Sequence, residues 1–130
     1  MTLLEAIARE EGFYVAGSRP QRNNNPGDLE YGPETIRFGA TAGDPRFAVF
    51  ADARTGWNAL RSWLSVRAKF DANGNLVGGY IGATIEQAIN RFAPPSENDS
   101  AGYVGNVCVW TGLQPADTLT IDLLILPEGV

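Results

Sequence analysis

The chain has 130 residues, 44% of them apolar, with a mean hydropathy of −0.14 and a net charge of −5. That length and apolar fraction predict one soluble globular domain spanning 1–130, and the acidic balance, with no basic stretch, excludes the usual footprint of a nucleic-acid binder. No run approaches the roughly 18 apolar residues of a membrane span; the absence of histidine excludes a Ser-His-Asp triad, a histidine base and a histidine-held metal; and the lone Cys108 excludes an intrachain disulfide or a cysteine cluster.

The opening residues, Met1-Thr2-Leu3-Leu4-Glu5-Ala6, carry neither a positive region nor a long apolar core. No secretory leader is expected, so the protein starts in the cytoplasm or crosses a membrane by another route. Residues 2–11 read as a helix, capped by Thr2 or the free terminus, with Leu3, Leu4, Ile7 and Ala8 on one stripe and Gly12 as a left-handed stop. Residues 13–34 are rich in Gly, Pro, Asn and Arg and predict a long ordered loop, turned at Asn23-Asn24-Asn25-Pro26-Gly27-Asp28. Pro26 before Gly27 predicts a positive φ at the glycine. Thr35–Phe38 and Arg46–Phe50 read as two strands of a hairpin, joined through Ala42-Gly43-Asp44-Pro45.

Residues 52–69 form the clearest predicted helix, capped by Asp52 and striped by Ala53, Trp57, Leu60 and Leu64, with Trp63 and Val66 widening the stripe. Residues 71–82 are a Gly/Asn loop. Asp71, Asn73 and Asn75 start like a calcium loop, but the glycine falls at 74 rather than 76 and Gly82 takes the place of the closing Glu, so a polar turn is expected. Thr84 and Gln87 form a capping-box pair for a helix over 84–93 that Pro94-Pro95 ends. A further helix over about 100–111, capped by Asn98, Asp99 or Ser100, turns Tyr103, Val104, Val107 and Cys108 inward. The tail from Thr118 to Leu126 fits either a strand or a short terminal helix. The fold class is therefore α+β: several helices and one small hairpin.

One carboxylate is out of place. On a helical wheel Glu11 lies about 10° from the centre of the apolar stripe, whereas Glu10 lies roughly 90° away, at its edge. Partial burial, the negative end of the helix dipole and the neighbouring Phe13 and Tyr14 all favour the protonated form of Glu11. A carboxylic acid that keeps its proton near neutral pH is what a general acid for glycosidic cleavage needs. The alternative is an ordinary last-turn Glu that swings into solvent or pairs with Arg9, Arg19 or Arg22.

Several segments together resemble a known family. Ile7-Ala8-Arg9-Glu10-Glu11-Gly12-Phe13-Tyr14 is similar to the end of the catalytic helix in the lysozyme-like superfamily. Arg22 to Leu29, with its Asn-Asn-Pro-Gly core, Phe47-Ala48-Val49-Phe50, Gly56-Trp57, Thr84-Ile85 and Phe92-Ala93-Pro94-Pro95-Ser96-Glu97-Asn98-Asp99 followed by Tyr103 resemble, in order, the virion-associated lytic transglycosylase-like proteins of phages and prophages. Asp28 departs from that loop, which more often has Asn.

The resemblance implies a lysozyme-like fold, a helical lobe facing a small hairpin lobe across a groove. It implies cleavage of peptidoglycan glycan strands between N-acetylmuramic acid and N-acetylglucosamine by Glu11, without metal or cofactor. The substrate-contacting candidates are Asn23, Asn24, Asn25, Asp28, Tyr31, Glu97 and Tyr103. Against those roles stand plainer ones: the asparagines holding their loop, Tyr103 in the core, Glu97 in a helix-capping network. Trp57, Trp63 and Trp110 are expected in the core, and Cys108 is expected to be inert. The favoured chemistry is the lytic transglycosylase mode, with one carboxylate. A hydrolytic lysozyme or endolysin, using Asp28 or Glu30 as second carboxylate, and a non-catalytic glycan-binding virion module are the alternatives. Partners would be glycan strands and other virion proteins, and the site of action the cell wall.

Overall fold

The computed structural model describes residues 1–130. Helix α1 runs from Leu3 to Glu11. Thr2 accepts from the Glu5 amide at 3.2 Å and Glu5 accepts from the Thr2 amide at 2.9 Å, a reciprocal cap. Gly12, at φ 89°, ends the helix, so that Glu11 is its last residue. Leu3, Leu4, Ala6, Ile7 and Ala8 are buried. Each large aliphatic side chain among them contributes about 1.5–3 kcal/mol by leaving water.

The expected hairpin exists, but one strand is displaced. Thr35–Phe38 does not form a strand. Arg19–Arg22 makes a one-turn helix, α2, and Pro33–Arg37 makes a second short helix, α3. Pro33 is pre-set for a first helical turn, and the buried Thr35 hydroxyl accepts from the Gly32 amide and donates to the Glu30 carbonyl. The strands are β1, Ala40–Asp44, and β2, Phe47–Phe50, antiparallel, with Asp44 opposite Phe47 and a bulge between Ala40 and Ala42. The segment expected as the turn is therefore mostly strand, and the reversal falls at Asp44–Phe47.

Helix α4, Ala53–Leu64, starts at Asp52, which accepts from the Thr55 amide at 2.8 Å. It is shorter than expected. Beyond Ser65 the Val66 carbonyl accepts from the amides of Tyr80 and Ile81, so the chain leaves the helix to pair with the later segment, and Val66 is exposed. Lys69–Phe70 (β3) and Leu76–Gly78 (β4) form a second small hairpin where only a loop is expected. Its turn is the polar one foreseen: Asp71 accepts from the amides of Asn73 and Asn75.

Helices α5, Ile85–Phe92, and α6, Ser100–Thr111, follow, opened by the Thr84–Gln87 box and by Asp99. The tail takes something of both readings: Thr118 bridges Thr84 antiparallel, Leu119 exchanges backbone bonds with Gly82 and Ala83, and a single 3-10 turn follows at Ile121–Leu123, flanked by the buried Leu119 and Leu124. Twenty-two buried residues from α1, α4, α5, α6, β2, the connecting loops and the tail form one core. α6 packs on α1 and α5. The β1–β2 hairpin and the 23–30 loop stand to one side and leave a cleft against the ends of α1, α4 and α5. The class is α+β, and no helix is long and apolar enough to cross a membrane.

Candidate functional site

The cleft is built from its loop. Asn25 is fully buried, and its side chain bonds the Leu29 amide at 2.9 Å, the Leu29 carbonyl at 3.0 Å and the Ala48 carbonyl at 2.9 Å. One asparagine thereby closes its own turn and fixes it to β2. Asn24, at φ 52°, donates to the Phe50 carbonyl at 3.0 Å, and the Phe50 amide donates to the Asn23 carbonyl at 2.9 Å. Gly56 of α4 lets this loop sit directly on the helix, since a β-carbon there would lie 1.7 Å from the Asn24 carbonyl oxygen.

The loop ends at Asp28, held at φ 47°. Its side chain is 7% exposed and takes two bonds from Arg19, from Nε at 3.1 Å and Nη2 at 2.5 Å. The Arg19 guanidinium lies over the Phe47 ring, 3.5 Å from its centre. Glu11 enters the same cleft from the end of α1. Burial pushes its pKa from 4.5 up to about 7, opposed in part by a hydrogen bond from Tyr103 and reinforced by the charges of Asp28 and Glu10. The Tyr103 hydroxyl donates to Glu11 Oε2 at 2.8 Å. Glu10, by contrast, accepts from Asn106 Nδ2 at 3.0 Å on an exposed surface.

Of the predicted site residues, Glu11, Asp28 and Glu97 line this cleft of about 510 Å³, and Tyr103 backs Glu11 from within the core. The other four do not. Asn25 is enclosed in the scaffold, Asn24 bonds to β2, and Asn23 is buried with its amide group unpartnered. Tyr31 is half exposed and covers Gly43 on the hairpin. None of the four lines the cleft: the scaffold consumes the side-chain donors of Asn24 and Asn25, Asn23 is buried away from the cleft, and Tyr31 lies on the hairpin. Glu97 is exposed at the rim, and the capping of α6 falls to its neighbour Asp99, which accepts from the Gly102 amide at 3.1 Å.

Glu30, a candidate second carboxylate, also lines the cleft, together with residues that the sequence does not point to. Arg46 pairs with Glu30 at 2.6 Å, Arg91 lies over the Tyr80 ring at 5.5 Å, and Trp63 donates to the Tyr80 hydroxyl at 3.2 Å. All line the cleft with Phe47. Trp63 thus packs against the core, as expected, and also presents part of its ring to the cleft wall. Its place on the helical stripe was visible, but the later segment that brings Tyr80 beside it was not. Trp57 is buried as expected, and Trp110 is half-buried beneath Arg9. Burial and the charges of Asp117 and Glu86 push the Cys108 thiol up, away from a reactive thiolate. The chain has no cluster of side chains able to hold a metal.

Compared with known proteins, the chain matches no family and no curated protein.

Proposed function

We propose that this chain has a lysozyme-like fold and cleaves peptidoglycan glycan strands between N-acetylmuramic acid and N-acetylglucosamine, as a lytic transglycosylase of phage or prophage type acting on the cell wall. The observation that carries this reading is Glu11, a carboxyl with its pKa at about 7 in an open cleft. At neutral pH about half of such groups hold a transferable proton, where an ordinary Glu holds almost none. The cleft volume of about 510 Å³ is in the range of ligand sites, and its aromatic walls, Phe47 and Trp63, suit sugar rings.

In this reading Glu11 gives its proton to the bridging oxygen as the bond from that oxygen to the muramic C1 breaks. Positive charge develops at C1. The resulting Glu11 carboxylate then takes the proton of the muramic 6-hydroxyl while that oxygen bonds to C1, closing an anhydro ring. The carboxyl ends in its starting state. The hydrolytic alternative needs a water or a second carboxylate to complete the reaction. Its two candidates are engaged: Asp28 by Arg19 and Glu30 by Arg46. The pairing of Asp28, whose side chain is 7% exposed, supports the one-carboxylate route; the Glu30–Arg46 pair is open to solvent and does not bear on it.

The test is mass spectrometry of purified peptidoglycan after digestion, with Glu11→Gln as control. Anhydro-muropeptides made by wild type alone are expected. Reducing-end products would replace the route by hydrolysis, and binding without products would make the chain a glycan-binding module.

A further inference from the structure

Asp28 occupies a backbone position that asks for nothing acidic. At φ 47° the left-handed region accepts Asn at least as readily as Asp, and glycine more readily still. What Asn would lack is the charge, and that charge has one evident use. The Asp28 carboxylate is 7% exposed and holds Arg19 by two bonds, while Phe47 lies against the guanidinium. Arg19, left to itself, is a long cation lining the same cleft as Glu11. A cation close to a carboxyl drives off its proton.

We propose that Asp28 is a positioning residue: it clamps Arg19 into a neutral pair on the cleft wall and so withholds the Arg19 charge from Glu11. The pair carries no net charge, Asp28 acts on Glu11 more strongly than Arg19 does, and Glu11 keeps its proton to higher pH. The couplings of the two groups to Glu11 have opposite signs, as a compensating pair requires: Asp28 raises the Glu11 pKa and Arg19 lowers it.

The other charges near Glu11 are arranged differently. Glu10, on the same helix, is exposed and bonded by Asn106; Tyr103, from α6, donates to Glu11 directly. On the hairpin side Glu30 and Arg46 neutralise each other. On the side of α5, Arg91 and Glu97 are exposed. Arg19 is therefore the cation in the cleft whose influence on Glu11 depends on a single buried partner.

This inference rests on the reading of Glu11 as the cleft's acid, but its test is made on the protein alone. The Glu11 carboxyl is titrated by carbon-detected NMR in wild type, Asp28→Asn, Arg19→Gln and the double variant. Asp28→Asn keeps the shape and the backbone preference, so the fold is retained. Its Glu11 midpoint should fall by roughly half a pH unit or more. Arg19→Gln should raise the midpoint, and in the Asp28→Asn background it should bring the midpoint back toward the wild-type value. An unchanged or raised midpoint in Asp28→Asn overturns the proposal, as does a double variant that titrates like Asp28→Asn. Should Arg19→Gln unfold, the sign in Asp28→Asn decides. A peptidoglycan-clearing profile that stays fixed while the midpoint moves supports the charge pair and overturns Glu11 as the acid instead.

Discussion

The Tyr103 hydroxyl and the Glu11 carboxylate meet at 2.8 Å across 92 residues of sequence. Tyr103 is 4% exposed, so this bond is made at the floor of the cleft and not at its mouth. The phenol orients the carboxyl and favours its ionised form, while burial favours the protonated form. Burial is the larger effect, and the outcome is a pKa of about 7.

Glu11→Gln should leave the fold intact and reduce glycan cleavage by about 10²–10⁴-fold, because the isosteric amide has no proton to transfer. Glu10→Gln, on the exposed edge, should change little. Wild-type activity should fall as pH rises through about 7. Stability follows the same group. The folded pKa is raised above the unfolded one, so the native state binds more protons between about 4.5 and 7, and wild-type stability declines as pH rises through that window. Above it, Glu11→Gln should be more stable than wild type by about 1–2 kcal/mol, allowing for partial solvent screening. Turbidity clearing and thermal melts across pH check both effects; full activity in Glu11→Gln would sink the assignment.

Tyr103→Phe removes a donor to the ionised carboxyl and should raise the Glu11 pKa further. The alkaline limb of the activity profile should move to higher pH. The cost in stability should be about 1 kcal/mol, that of one hydrogen bond with the ring kept in place. A profile that moves to lower pH, or none that moves, would show that the bond does not tune the acid.

Asn25→Ala should be among the most destabilising single changes in the loop, at about 3 kcal/mol. Three hydrogen bonds go, and the Ala48 carbonyl and the Leu29 amide are left buried. Chemical denaturation measures it. A loss below about 0.5 kcal/mol, within the range of surface substitutions, would contradict the scaffold role.

Two glycines of this region should differ. A β-carbon at Gly27 would lie 2.6 Å from Leu60 Cδ1, the end of a side chain that can shift, so Gly27→Ala should cost about 1–3 kcal/mol. The positive φ expected there is found instead at Asn24 and Asp28, so crowding and not backbone strain constrains Gly27. At Gly56 the obstacle is the Asn24 backbone itself, and Gly56→Ala should yield little folded protein. Comparable melting temperatures for the two variants would refute this ordering.

The four main helices were legible because each announces itself twice, by a cap and by a stripe: Thr2 with Leu3, Leu4 and Ile7, Asp52 with Trp57 and Leu60, Thr84 with Ile85 and Ile89, Asp99 with Tyr103 and Val107. Glu11 was legible for the same reason, as a carboxylate in the period of the stripe. The strand Ala40–Asp44 carries no alternation to read, as its middle three residues are all exposed. Thr35–Phe38 has strand-like residues, but a side-chain bond to Gly32 and a proline at the first helical position override that preference. The second hairpin is too short for periodicity to register. The asparagines were visible as turn formers, yet whether their amides point inward or into the cleft depends on β2, which the loop sequence does not contain.

The packing of α6 on α1 also makes one chemical property depend on two distant parts of the chain. In the unfolded chain Glu11 is a solvated glutamate, ionised at neutral pH. Its raised pKa is a product of burial, and behind it stands Tyr103, itself 4% exposed. A substitution that lets water in between α6 and α1 should return the carboxyl toward its ordinary value without touching Glu11 itself.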